Sequence, residues 1–360
     1  MHLPDIRERF KRARKDILTS DLDAVVITGL SNVRYLSGFT GSNAFLFLAR
    51  KRSVFVTDGR YETQAGRQVR HIPVKIESKP LAEAISGLID KYKVKCLGFE
   101  AAHMSVETYN TIRKRRGLSL KPVGPVIEKL RMIKNDIEIK AIQKAVRIAE
   151  KAFLEIKPMI KPSVTEAEIA AALECEIKKI GSGGLPFDVI VASGKNSALP
   201  HASRTSRKLK KGDLVVVDWG AEYNGYCSDM TRTFIIGNAT GEKRRLYDIV
   251  LKAQFSAIKS VKNNLPLKDV DKSARDLIDS EGYGCFFGHG TGHGVGLDVH
   301  EPPRVSARGD DISKEGMIFT VEPGIYVPGL GGVRIEDMVL VTSKGAKVLT
   351  KLPRNLEVIQ

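Results

Sequence analysis

The sequence predicts two domains in succession, an α/β layer domain and then an α+β domain built on antiparallel strands. Strand and helix patterns alternate through the opening third of the chain, which indicates the first. The second is indicated by long amphipathic helices set among strands, and by a motif that occurs twice. Gly212 is followed by Asp218 and Gly220, and Gly316 by Glu322 and Gly324 at the same spacing. At 360 residues there is room for both domains and a large core.

In the opening region an amphipathic segment over 4–19 leads to the apolar strand 24–27. Strands over 44–49 and 53–57 flank a turn at Arg50 to Arg52. Helical stretches over 59–70, 80–92 and 105–115 alternate with short strands near 72–76 and 96–99. Pro122, Gly124 and Pro125 then break the pattern, so the domains expected are 1–124 and 125–360.

A long helix follows. Asn135 offers an N-cap with Glu138 three residues on, and Ile142, Val146, Ala149, Phe153 and Ile156 recur at helical spacing as far as Pro158. A second helix starts at Ser163 or Thr165, each with Glu three residues later, and stops at Gly181. Further helices fit 241–261 and 268–281, and strand patterns occupy 188–193, 213–220, 233–237, 317–324 and 337–342. Each copy of the repeated motif continues through a turn with an aromatic residue (Tyr223, Tyr326) and a glycine (Gly225, Gly332) to a second acid, Asp229 or Glu336. The copies read as pseudo-symmetric hairpins with a carboxylate on either arm.

Composition narrows the function classes. A hydrophobic fraction of 42% with little low-complexity sequence argues against disorder, and no apolar run approaches the ~20 residues of a membrane span. The charged start MHLPDIRERFKRARK lacks the apolar centre of a secretory signal. Cys96, Cys175, Cys227 and Cys285 are widely spaced without a CxxC pair, the usage expected of reduced cytoplasmic thiols. A formal net charge of +16 raises nucleic-acid binding as a reading. The basic clusters at 113–116, 207–211 and 243–245 are short and not interleaved with aromatics, so a solvated basic surface is the expectation.

The stretch from Gly288 to Pro303, GHGTGHGVGLDVHEPP, holds three of the seven histidines. Glycine at every second position from Gly288 to Gly296 places His289, Thr291 and His293 on one face of an extended chain. The other face is bare, so a second backbone or a ligand can come close. Neither GxGxxG nor GxxxxGK[ST] occurs in the stretch.

Asp218 closes the apolar run LVVVD and Glu322 closes IFTVE. An acid at the end of a buried strand is costly unless it is paired or bound to metal. Singly, each reads as a strand-end group bonded to a nearby turn, with Arg232 and Arg334 as candidate ion-pair partners. As a set of four on twin hairpins, with His293 as a fifth donor, Asp218, Asp229, Glu322 and Glu336 suit a pair of divalent cations. Four oxygen donors and one imidazole favour Mn or Co, with Fe or Zn admissible, and no cysteine joins the set as a structural zinc site requires. Two ions about 3.5–4 Å apart polarise a carbonyl and activate water, so hydrolysis of an amide or ester is the chemistry expected.

These residues resemble those of the pita-bread metallopeptidases, and within them the proline-directed branch of Xaa-Pro dipeptidases (prolidases) and Xaa-Pro aminopeptidases. The resemblance covers nearly the whole chain, through RYLSGFTGS (34–42), TDGRY (57–61), LRMIKN (130–135), ASGKNSALPHA (192–202), VVDWGAEYNGYCSDMTRT (216–233), HGTGHGVGLDVHEPP (289–303) and TVEPGIYVPGLGGVRIED (320–337). It implies a pita-bread catalytic domain with a pseudo-twofold antiparallel sheet, preceded by a smaller creatinase-like α/β domain. That first domain is implied to help build a homodimer and to cover a neighbour's cleft, with loop 37–42 as a contact.

The same resemblance implies that Asp218 binds one ion, His293 and Glu322 the other, and that Asp229 and Glu336 bridge them. None of the five is substituted, unlike in the metal-free creatinase-like branch. By resemblance, His201 contacts substrate, His300 stands near the scissile amide and His289 lines the site. Glu322 also carries the proton from nucleophile to leaving nitrogen, Arg334 orients the carboxylates and Tyr326 hydrogen-bonds near them. Arg304 matches the arginine with which prolidases meet the free carboxylate of a dipeptide, although short bacterial aminopeptidases of the branch share it. The substrates implied are dipeptides or short peptides with proline second. One alternative is a methionine aminopeptidase-like enzyme, which the extra N-terminal domain of ~120 residues disfavours. The other is a non-catalytic RNA-binding protein on the same fold, which the intact ligand set disfavours.

Overall fold

The apolar runs of the opening region become the centre of a six-stranded sheet. Residues 3–18, 21–50, 52–238 and 240–360 are described by the structure, a computed structural model, and they divide into two units, Met1–Arg131 and Met132–Gln360. In the first unit Ala24–Ile27 pairs antiparallel with Ala44–Ala49 and parallel with Cys96–Glu100. Ser53–Thr57 and Val74–Ile76 extend one side of the sheet, and Ser119–Val123 the other. Ala24–Ile27 and Ala44–Ala49 are buried along their length, as strands covered on both faces must be. Helices Leu81–Tyr92 and Val106–Arg113 supply one cover, through Ile85, Leu88 and Ile112 packed with Val26, Phe47 and Leu97.

Three elements escape the periodic pattern, and helix Val126–Met132, at the end of this unit, is one. Helix Leu30–Ser37 is only eight residues long and is closed by Gly38 at φ 78°. Strand Ser119–Val123 contains Pro122, which has no N–H to give to a ladder; its place at the sheet edge tolerates that.

In the second unit Asn135 and Glu138 form the expected capping box at the start of helix Asp136–Ile156. Thr165, rather than Ser163, caps helix Glu166–Lys179, again with a reciprocal glutamate, Glu168. Ser163 has φ 73°, outside the extended region an N-cap occupies.

The repeated motif folds as twin hairpins. Leu214–Trp219 runs antiparallel to Met230–Ile236 with Thr231 opposite Asp218, and Ile318–Val321 runs antiparallel to Asp337–Thr342 with Val321 opposite Asp337. Between the arms lie small ribbons, Glu222–Tyr223 with Tyr226–Cys227 and Gly324–Val327 with Gly331–Arg334. The first pair of arms sits in a four-stranded sheet with Ile190–Ser193 and Glu357–Ile359. The second sits in a five-stranded sheet with Gly292–Gly294, Glu301–Val305 and Gly345–Val348.

Each sheet has its own pair of helices. Asp136–Ile156 and Glu166–Lys179 share a core with the first, where Phe153 stacks on Trp219 at 4.5 Å between ring centroids. Gly241–Ser260 and Leu267–Ser280 share a core with the second. No helix among the described residues is long and apolar enough to cross a membrane.

Candidate active site

A cavity of about 340 Å³ is lined by both halves of the second unit. Asp218, Asp229, His293, Glu322 and Glu336 all border it, with His201, His289, His300 and Arg334. Strand geometry delivers the acids. Asp218 is the next-to-last residue of its strand, Asp229 immediately precedes Met230–Ile236, Glu322 follows Ile318–Val321 and Glu336 precedes Asp337–Thr342. The apolar side chains that bury these strands thus bring four carboxylates to one rim.

His293 arrives on a strand that glycine makes possible. A Cβ at Gly292 would meet the carbonyl oxygen of Thr320 at 1.9 Å, and one at Gly294 that of Pro302 at 2.2 Å. The bare face of the stretch is therefore filled by neighbouring backbone. His293 Nε2 lies 3.3 Å from Glu322 Oε1 and 3.6 Å from Asp229 Oδ2, and its ring centroid is 4.3 Å from that of His300. Only Gly292–Gly294 of the glycine-alternating segment is strand. Thr291 accordingly departs from the expected shared face: its hydroxyl and N–H both donate to Oδ1 of the buried Asp271, at 2.9 and 3.0 Å.

Hydroxyls and one guanidinium fix the acids. Thr231 Oγ1 donates to Glu336 Oε2 at 2.7 Å, and Thr320 Oγ1 to Glu322 Oε1 at 3.1 Å. Arg334 Nη2 donates to Asp218 Oδ2 at 2.6 Å, while its Nη1 reaches the Pro200 carbonyl at 3.0 Å and the Tyr326 hydroxyl at 2.9 Å. That hydroxyl is also 2.9 Å from His289 Nε2. Arg232, the other candidate partner, pairs with Asp337 instead, at 2.8 Å.

The electrostatics are those of an under-compensated acidic cluster. Burial, then repulsion from Glu336, Asp218 and Glu322, raises the Asp229 carboxyl well above its ordinary range. Burial, with Glu322 and Asp218 nearby, does the same to Glu336. Burial also raises Glu322, against the opposing pull of His289 and Arg334. Burial lowers His289, His293 and His300, which favours neutral imidazoles able to act as ligands or acceptors. Burial opposes the charge on Arg334, but Tyr326, Asp218, Glu322 and Glu336 outweigh it and hold the guanidinium protonated.

This donor set fits divalent cations. Asp229, His293 and Glu336 each offer a ligand atom within 4.8 Å of the others. Asp218 Oδ1 is buried without a hydrogen-bond partner, although Oδ2 of the same group is held by Arg334. Oxygen-rich sites with one imidazole suit Mn or Co better than thiolate-preferring ions. Glu100, His103 and Glu128 of the first unit are also close enough to share an ion. Glu100, however, already accepts from Thr28 N, Gly29 N and Asn32 Nδ2 at 2.6–2.8 Å, and the group reads as a hydrogen-bonded brace.

Of the residues given a site role by the resemblance, Tyr326 and Arg304 stand back from the cavity wall. Tyr326 acts behind it, through His289 and Arg334. Arg304 is exposed on Glu301–Val305, opposite His293 in register. Sequence reasoning missed Phe187, Asp188, Ile190 and Pro200, which complete the wall. It also missed Thr231 and Thr320. Strand alternation held a signal for Thr320, which lies two residues before Glu322 and so shares its side of the chain.

A cavity lined by five acids and four imidazoles, with a metal-ready donor set among them, defines the class as metal-dependent hydrolase. Comparison with known proteins agrees. Residues 140–343 match the model of metallopeptidase family M24, and residues 9–133 match that of the creatinase/prolidase N-terminal domain. The chain belongs to metallopeptidase family M24, as a pita-bread domain preceded by a creatinase-type one. It is 39% identical to a Xaa-Pro dipeptidase of Pyrococcus furiosus over 98% of this chain and 100% of that one. A solved Xaa-Pro dipeptidase from Bacillus anthracis superposes with a TM-score of 0.94 at 38% identity, covering 98% of this chain and 100% of the other. An X-Pro aminopeptidase from Thermotoga maritima gives 0.87 at 37% identity, covering 97% and 100%.

Proposed function

We propose that this chain is a dinuclear metal-dependent peptidase that cuts the bond between an N-terminal residue and a following proline, in dipeptides or short peptides. The observation that carries the reading is the convergence of Asp218, Asp229, His293, Glu322 and Glu336 on one cavity of about 340 Å³. Asp218 is assigned to one ion, His293 and Glu322 to the other, and Asp229 and Glu336 to both, with Mn or Co as the metal. Bound there, such ions supply Lewis acidity and make water a nucleophile near neutral pH.

The side chains do the rest. The Glu322 carboxylate takes a proton from the attacking water and gives it to the proline nitrogen as the C–N bond breaks. Its burial strengthens its hold on that proton. Delivery of this proton lets the prolyl nitrogen leave as a neutral secondary amine rather than as an amide anion. His201 and His300 donate to the substrate at the rim, and His289 is steadied by Tyr326. Phe187, Ile190 and Pro200 give the wall an apolar sector suited to the pyrrolidine ring. Arg304, outside the lined cavity, meets the terminal carboxylate of a dipeptide.

Residues 1–124 are assigned to dimerisation and cleft cover and 125–360 to catalysis, in a cytoplasmic homodimer. Four free thiols and a solvated basic surface support that setting better than RNA binding. Xaa-Pro dipeptides and Xaa-Pro-Yaa tripeptides assayed with added Mn²⁺ or Co²⁺ test the reading. Cleavage of either is expected; cleavage of neither by metal-loaded protein overturns it.

A further inference from the structure

Glu166 opens helix Glu166–Lys179 and has no exposed surface. Its carboxylate ties together the two ends of loop 194–204. Oε1 accepts from the N–H and the hydroxyl of Ser193, both at 2.7 Å, and Oε2 accepts from the hydroxyl of Thr205 at 2.6 Å and its N–H at 3.2 Å. The Asn196 amide approaches both oxygens at 3.1 Å. Arg207 donates to Ser193 Oγ but gives its ion pair to Asp213, at 2.6 Å. Hydrogen bonds from the loop and its two ends, with the charge of Arg207 nearby, thus offset the desolvation of Glu166.

The clamped loop feeds the cavity. It carries His201 on the wall and Pro200, whose carbonyl accepts from Arg334 at 3.0 Å. Its Ser197 hydroxyl accepts from Gly332 N at 2.9 Å, tying the loop to the strand that ends in Arg334.

We propose that Glu166 is a positioning residue for the hydrolysis, a buried clamp that holds His201 and the Pro200 carbonyl in place. The role in catalysis rests on the peptidase reading above. Glu166→Gln preserves shape but turns an NH₂ group toward one set of donors, releasing one end of the loop. In the metal-loaded full chain, kcat/KM toward Leu-Pro is expected to fall by about ten-fold or more, within what a displacement of roughly 1 Å can cost. Metal content is expected to hold and the melting temperature to fall, while hydrogen exchange of amides 195–198 and 201–204 quickens more than that of amides elsewhere in the chain. Thr205→Val removes a donor at one end only and gives a smaller change in the same direction, which keeps the test usable if Glu166→Gln does not fold. In a His201→Ala background each substitution is expected to lower kcat/KM by a smaller factor than in the unaltered chain, the remainder passing through the Pro200 carbonyl. Unchanged exchange over the loop in both variants, or a loss that multiplies fully on top of His201→Ala, overturns the proposal. If the unaltered, metal-loaded chain cuts neither Leu-Pro nor Leu-Pro-Gly the peptidase reading falls, and the exchange rates still decide the clamp.

Discussion

Arg334 holds Asp218 by one oxygen, Oδ2, at 2.6 Å, and leaves Oδ1 of the same carboxylate buried without a protein partner. The pair is both a structural support and the frame for a ligand atom. Removing one member of a buried ion pair costs about 3–5 kcal/mol, because the remaining charge stays desolvated. Arg334→Met is therefore expected to lower the melting temperature sharply in EDTA and to recover partly with Mn²⁺. Thermal unfolding under both conditions checks this, and an unchanged midpoint in EDTA counts against the pairing.

Asp229→Ala and Glu336→Ala each remove a carboxylate assigned to both ions. Losing a partner that merely orients a ligand costs roughly 10–100-fold, so loss of the ligand itself is expected to exceed ~100-fold in kcat/KM. Thr231→Val, which takes only the hydroxyl that bonds Glu336 at 2.7 Å, should stay within the smaller range. Metal content by elemental analysis beside the rates separates the two effects. Near-normal turnover in either alanine variant refutes the shared assignment.

Metal and protons compete for the same carboxylates. Burial, with repulsion from neighbouring carboxylates, raises Asp229, Glu322 and Glu336 above the ordinary carboxylate range. The folded, metal-free chain thus binds these protons more tightly than the unfolded chain does. Their contribution to stability is complete below the unfolded values and is lost as pH rises through the raised ones. Divalent cations replace the lost protons. The melting-temperature increment from Mn²⁺ over EDTA is expected to grow as pH rises from about 5 toward neutrality. Scanning fluorimetry at stepped pH reads it directly, and an increment that shrinks over that interval contradicts the cluster's electrostatics.

Much of this was legible in the residues themselves. Asn135 with Glu138 marked a real capping box, and the Gly-x₅-acid-x-Gly echo marked real twin hairpins. Such features are local, and local chemistry decides them. Strand Glu301–Val305 was not legible, because Pro302 and Pro303 argue against a ladder and only its edge position admits them. Thr291 was misplaced for a related reason. Alternation assigns faces only while the chain stays extended, and a buried carboxylate on a distant helix, Asp271, claimed its hydroxyl. Phe187, Asp188 and Ile190 carry no motif that announces a wall, since their neighbours across the cavity lie a hundred residues on.

Arg304 separates dipeptides from longer substrates. It stands opposite His293 in register, yet it is exposed and outside the cavity wall. An ion pair formed in that setting is screened by water and is worth about 1 kcal/mol or less, roughly a five-fold change in binding. Arg304→Ala is accordingly expected to raise KM for Leu-Pro by up to about five-fold with kcat nearly unchanged, since the contact is made equally before and during bond cleavage. Leu-Pro-Gly, whose carboxylate lies one residue further out, should respond less than two-fold on the same scale. The expected effect should also fade as salt is added, because an exposed charge pair weakens with ionic strength. An equal KM rise for both peptides, insensitive to salt, assigns Arg304 to the strand's structure and removes it from substrate recognition.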